Sequence, residues 1–218
     1  MSAGRPRALL FDWDNTLVDT WPAIHHALAV TFRAMGQTPW TFEETKERVR
    51  ASARDAFPKL FGARAPEATK VFYGAYEAGH LDNLRERPGA GAALAALAAQ
   101  DGLYMAVVSN KKGDLLRREA AHLGWAPFFD RLVGAQDAVR DKPAPEAVVL
   151  ALEGSGLAPG PEVWFVGDTD IDLRCAVNSG CIPVLVRPHA PQEGEFGDAG
   201  PQIHYPDCAT LLEALLAM

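Results

Sequence analysis

The chain has few cysteines, no excess of positive charge and no long apolar run, and each shortage removes a class of function. Cys175, Cys181 and Cys208 are the only cysteines among 218 residues. Their number is odd and their spacing matches no metal-ligand pattern, which argues against a disulfide framework or a structural zinc site. They fit a reducing cytoplasm as small buried side chains. Lysine and arginine total 21 against 28 aspartates and glutamates, for a formal net charge of −7. The cations are dispersed, so no nucleic-acid partner is expected. No stretch is long and apolar enough to span a membrane, and the first residues lack the apolar core of a signal peptide. A cytoplasmic protein without a membrane partner is therefore expected. The 48% apolar fraction is ordinary for a globular chain, and 218 residues suit one core domain with a modest insertion, or two small domains.

What is present is a series of short apolar runs, each followed by polar groups able to do chemistry. Ala8-Leu9-Leu10-Phe11 reads as a buried strand, and Asp12-Trp13-Asp14 follows it. Carboxylates at a strand's C-terminal end sit where open α/β sheets bind ligands. One carboxylate can attack while its neighbour handles a proton, and a cation is needed to hold both charges together. A second run, Tyr104 to Val108, ends in Ser109-Asn110-Lys111, a hydroxyl followed by an amide; the Ser109 hydroxyl, or a backbone N–H just after it, could donate to a phosphate oxygen. Lys142 stands before Pro143-Ala144-Pro145-Glu146, where the prolines mark a helix start. A fourth piece, Val163 to Val166, leads into Gly167-Asp168-Thr169-Asp170-Ile171-Asp172, an acidic cluster whose hard oxygen ligands suit Mg²⁺. Each piece alone has a plainer reading: an acidic turn, turn chemistry, a solvated lysine, a helix cap. Asp170 takes that plainer reading, as a favourable charge at a helix N-terminus.

Together, in this order, the four pieces resemble the motifs of the haloacid dehalogenase-like hydrolase superfamily: Asp12-x-Asp14, Ser109, Lys142, and Gly167-Asp168 with Asp172. Within it the chain is most similar to the phosphoglycolate phosphatase branch, through Val108 to Lys111, Lys142 to Glu146, and Gly167 to Asp172 with Ala176 and Gly180. Two positions depart from the pattern. Asn15 stands where the family usually has glycine, and asparagine tolerates the positive φ of such a turn. Trp13 is bulkier than usual in its slot.

The resemblance implies an α/β fold: a Rossmann-like parallel sheet with helices on both faces, formed by residues 1–18 and 86–218, and a helical cap domain over 19–85. A cap beside the nucleophile can close over substrate and exclude water. The implied activity is Mg²⁺-dependent hydrolysis of a small phosphate monoester, phosphoglycolate-like or a sugar phosphate, through an aspartyl-phosphate. Asp12, Asp14, Ser109 and Lys142 are the implied catalytic residues. Asp12, Asp14, Asp168 and Asp172 are the metal site, with Asp14 contributing its backbone carbonyl. Thr16, Ser109, Asn110, Lys142 and Arg54 are the implied substrate contacts, Arg54 being chosen from a cap segment that also holds Arg48, Arg50, Ser52 and Lys59. A phosphomutase of the β-phosphoglucomutase type is the alternative, and a non-catalytic interaction domain a further one; a metal-free dehalogenase is disfavoured because that branch lacks the second acid.

The periodicity gives the remaining elements. Asp19 or Thr20 caps a first helix with Pro22 in its opening turn, and shorter helices follow, broken at Pro58 and Gly62. Trp21 and Trp40 are read as cap core, and His25 and His26 as surface or packing residues. An alanine-rich helix runs from Gly89 to about Gln100. Strands are expected near 104–109, 131–134, 163–167 and 182–186, with helices between. The segment Arg187 to Gly200 is expected as mobile surface, and Ala209–Leu216 as a short helix covering a sheet edge.

Overall fold

The computed structural model describes residues 4–218. In chain order the elements are β1 (Ala8–Phe11), β2 (Val18–Asp19), α1 (Trp21–Ala34), α2 (Phe42–Arg48), α3 (Ala53–Phe61), α4 (Ala65–Glu77), β3 (Arg85–Glu86), α5 (Ala90–Ala98), β4 (Tyr104–Lys112), α6 (Gly113–His122), β5 (Arg131–Ala135), α7 (Glu146–Leu152), β6 (Val163–Gly167), α8 (Asp170–Ser179), β7 (Ile182–Val186), β8 (Ile203–Tyr205) and α9 (Cys208–Leu216). They fall into two compact units. One comprises the chain up to Val18 together with Glu86–Met218; the other is Asp19–Arg85. The short strands β2 and β3, where the chain passes between the units, pair with each other.

The first unit is built on a six-stranded sheet in the order β5-β4-β1-β6-β7-β8, with every neighbour parallel. Strands buried on both faces of a parallel sheet need no polar alternation. β1, β6 and β7 are accordingly apolar runs with every residue buried. Ala8, Leu10, Ala106, Val108, Val163 and Phe165 face one way, against Ala147, Val148 and Ala151 of α7 and Cys175 and Ala176 of α8. The alternation of a strand turns Leu9, Phe11, Met105, Val107, Trp164 and Val166 to the other face, where they are equally buried. On that face Phe11 meets Phe129 edge to face, and Trp13 meets Trp125.

The second unit is four helices, α1–α4, around Leu28, Phe32, Met35, Phe57, Phe61, Ala65 and Ala68. Phe57 and Phe61 meet edge to face, and Phe61 also contacts Phe32. That aromatic cluster explains one difference from the sequence reading: Pro58 lies inside α3 without ending it, and Gly62 alone terminates the helix. Phe57 and Phe61 on one face hold the turn that the proline deprives of a hydrogen bond. Trp40 packs against this cluster, and His25 bonds Thr45 at 2.9 Å. Thr20 precedes α1 as expected, at the N-cap position.

Two further differences lie in the C-terminal third. β8, unforeseen, adds a short edge strand beside β7. The segment after Arg187 has internal ties where mobile surface was expected: Arg187 grips Glu195 at 2.8 and 2.6 Å, and Phe196 is buried against Leu173 and Leu185. α9 lies mainly against α5 and also reaches β8.

Candidate active site

The strand order reverses at β1. From β1 the chain builds outward through β4 to β5, then crosses back to β6, β7 and β8 on the other side. In an open parallel sheet the crevice at such a reversal, at the C-terminal ends of the strands, is where ligands bind. The loops after β1, β5 and β6 and the end of β4 all open there. They carry Asp12 and Asp14, Lys142, Asp168, and Ser109 to Lys111, and Asp172 follows on the adjoining helix α8. Strand register fixes the level: Phe11 pairs with Val107 on one side and Val166 on the other, and the Asp12 N–H donates to the Val166 carbonyl at 2.8 Å.

Asp12, Asp168 and Asp172 can each present a carboxylate oxygen within 4.8 Å of the others. Lys142, 2% exposed, donates from Nζ to Asp12 Oδ1 at 2.6 Å and to Asp172 Oδ1 at 2.7 Å. The Thr16 hydroxyl lies 3.2 Å from Asp168 Oδ1 and 3.4 Å from Asp12 Oδ2. Asp172 sits in the first turn of α8, where its Oδ2 accepts from the Thr169 N–H at 3.1 Å and the Thr169 hydroxyl at 2.8 Å. Two backbone features make this possible. Gly167 has Asp172 packed directly over its α-carbon, where a methyl group would collide with the aspartate Cβ. Asn15 adopts φ 65°, turning the loop so that Thr16 faces back towards Asp12.

The charges are unbalanced. Burial, together with the charges of Asp172 and Asp14, outweighs Lys142 and lifts the Asp12 carboxyl to about 7. Burial and the charges of Asp172 and Asp12 raise Asp168 well above the ordinary carboxylate range. Burial alone would lower Lys142, but Asp12 and Asp172 more than reverse it and hold the ammonium charged. Three hard oxygen donors with one lysine between them fit a divalent cation, which would relieve the repulsion that burial intensifies.

The other expected site residues are placed as follows. Asp14 points its carboxylate at Lys111, with Oδ1 accepting from Nζ at 2.6 Å, outside the three-carboxylate group. Ser109 is buried, and its Oγ accepts from the Lys111 N–H at 3.1 Å. The Asn110 amide donates to the Lys142 carbonyl at 3.2 Å, tying β4 to the lysine loop. Arg54 is half-buried in the first turn of α3, in the other unit.

The chain is similar to known proteins. The model of the haloacid dehalogenase-like hydrolases matches residues 9–186. The chain belongs to that family. A protein of Pectobacterium atrosepticum named phosphoglycolate phosphatase is 32% identical over 190 residues, covering 80% of this chain and 77% of the relative. Pyrophosphatase PpaX of Listeria monocytogenes is 30% identical over 178 residues, covering 81% of each. The solved structure of a haloacid dehalogenase-like family hydrolase from Streptococcus pneumoniae superimposes with a TM-score of 0.82 at 20% identity, over 96% of this chain and 98% of that one, and so shares the fold.

In this hydrolase the structure also gives Lys111, so far only part of a matching stretch, its partners, and brings in Glu119, which the motifs passed over. Lys111 Nζ reaches Glu119 Oε2 at 2.8 Å as well as Asp14, and the Trp13 Nε1–H donates to the same glutamate oxygen at 2.7 Å. Glu119 is fully buried on α6 among Leu115, Leu116 and Ala120. A charged residue on the apolar stripe of a helix was the signal that could have found it, because such a charge must have a partner.

Proposed function

We propose that this hydrolase cleaves small phosphate monoesters with Mg²⁺, phosphoglycolate or a similar small anionic ester being the substrate class. The observation that carries the reading is the meeting of Asp12, Asp168 and Asp172, with Lys142 bonded to Asp12 and Asp172, at the reversal of the strand order. The relatives named phosphoglycolate phosphatase support the substrate class. Asp12, Asp168 and Asp172, with the Asp14 backbone carbonyl, would hold the metal, whose charge makes attack by a carboxylate on a phosphate dianion feasible.

The protein's own groups do the rest. An Asp12 oxygen attacks phosphorus and the bond to the ester oxygen breaks, leaving an aspartyl-phosphate. Asp14 gives a proton to the departing oxygen, then takes one from the water that attacks the aspartyl-phosphate and frees both phosphate and Asp12. Lys142 holds charge beside Asp12 as it builds on the phosphoryl oxygens. The Ser109 hydroxyl proton meets no acceptor among the described residues, which suits it to a phosphoryl oxygen. Thr16 braces Asp12 against Asp168.

A second reading comes from the relative named pyrophosphatase: the cleaved bond would then be a phosphoanhydride. One panel separates the two. Phosphate release from phosphoglycolate, sugar phosphates, nucleotides, pyrophosphate and an aryl phosphate is followed with Mg²⁺ and with chelator. The proposed reading expects metal-dependent release, fastest from a small monoester. Pyrophosphate as the fastest substrate would favour the second reading, and no release from any compound would overturn both.

A further inference from the structure

We propose that Lys111, anchored by Glu119 and Trp13, is the positioning residue for Asp14. The inference rests on the reading of Asp14 as proton donor and acceptor given above, and it deepens that reading by naming what aims the carboxylate.

The contacts form a chain running from the core outward. Trp13 has no exposed surface, and its ring is wedged edge to face between Trp125 and Phe129, with centroids 5.8 and 6.5 Å away. Its indole N–H holds Glu119 Oε2 at 2.7 Å. Glu119 is carried on the buried stripe of α6 and holds Lys111 Nζ at 2.8 Å. Lys111 holds Asp14 Oδ1 at 2.6 Å. Side-chain exposure rises along the series, from 0% at Glu119 to 4% at Lys111 and 20% at Asp14. The only member open to solvent is thus the one assigned to proton transfer.

Each link removes a freedom that the next would otherwise keep. An aspartate in an open loop samples several rotamers. A lysine is a flexible four-carbon stem and cannot fix a carboxylate unless its own ammonium is fixed. Glu119 supplies that anchor, and Trp13, rigid in its aromatic cage, orients Glu119. Stability alone does not explain the arrangement, because apolar residues of similar volume commonly match or exceed a buried ion pair. It also gives the bulky residue between the two catalytic aspartates a function: Trp13 supplies an N–H that a smaller apolar side chain would lack.

The test uses the dependence on leaving group. Proton donation matters for an alkyl ester, whose leaving oxygen is strongly basic, and little for a nitrophenyl ester, whose leaving oxygen is not. kcat/KM, which reports the step that expels it, is measured on both for wild type, Lys111→Met, Glu119→Gln and Asp14→Asn. Lys111→Met is expected to lose about 10²-fold on the alkyl ester, the scale of a misplaced catalytic group, and less than about a tenth of that on the aryl ester. Glu119→Gln keeps an oxygen for Trp13 and Lys111 and is expected to fall between wild type and Lys111→Met, with the same bias. Should Lys111→Met fail to fold because Glu119 loses the ammonium beside it, the double variant Lys111→Met/Glu119→Gln removes both charges and is read in the same way. Crystal structures of the variants give a readout that needs no turnover: the Asp14 carboxylate is expected to leave its wild-type position. Equal losses on both esters, an unmoved Asp14, or a bias in Asp14→Asn that Lys111→Met lacks would each overturn the positioning role. Absence of any activity in wild type would instead overturn the phosphatase reading, and the position of Asp14 in the variant structures would still decide this one.

Discussion

At the scale of single residues, the site is a problem in charge. Asp12 is buried beside two other carboxylates and its carboxyl is lifted to about 7; Asp168 is raised as well. A bound cation favours the ionised form of both and lowers them. At pH 7 metal binding should therefore release protons. Calorimetry in two buffers of different ionisation enthalpy reads this directly, and an identical apparent enthalpy in both would contradict it. If Asp14 is the proton donor proposed above, Asp14→Asn removes it, so a drop in turnover of about 10²–10⁴-fold is expected, measured as steady-state phosphate release. The motif residues were legible because chemistry restricts them to a few side chains. The pairing of Lys111 with Glu119 was not, because it is a contact between the end of β4 and α6; the sequence marks Glu119 only as a charge on an apolar helix stripe.

At the scale of elements, the junction of β6 and α8 is tightly constrained. Gly167 closes the strand, and Asp172 lies over it while accepting from Thr169 and Lys142. Gly167→Ala forces the aspartate away from the strand. The expected cost is about 1–3 kcal/mol of stability, the usual range for overpacking, with turnover falling further than the fold does. Urea unfolding beside activity checks this, and a variant with wild-type turnover would contradict it. The strands that carry the site were legible because a doubly covered parallel sheet writes each strand as an apolar run. β8 was not, because its three residues are only half-buried and sit at an edge. The persistence of α3 through Pro58 was hidden for a related reason: the aromatic contacts that sustain it come from other helices.

At the scale of the whole molecule, the thiols report on packing. All three cysteines are free and buried. Burial pushes Cys175 up to about 12 and Cys208 to about 11, from an ordinary value of 9.0. The folded protein therefore keeps protons that the unfolded chain gives up near pH 9. This contribution to stability is complete below that pH and is lost as pH rises towards 11 to 12. Urea midpoints at pH 8 and pH 10 should fall in that order, and maleimide at pH 8 should label the native protein slowly and all three thiols after denaturation. The family and the sheet could be read from the sequence because the motifs and apolar runs are local. The packing of α9 against α5 could not, because it joins segments more than a hundred residues apart.

The central claim is that Asp12 takes the phosphoryl group. The most direct measurement quenches the enzyme in acid during turnover of a small phosphate ester with Mg²⁺ and locates the phosphoryl group by peptide mass. The account predicts that it lies on Asp12, and that Asp12→Asn, still folded, carries none and releases no phosphate. A phosphoryl group on a different side chain, or an Asp12→Asn variant that turns over at the wild-type rate, would contradict it.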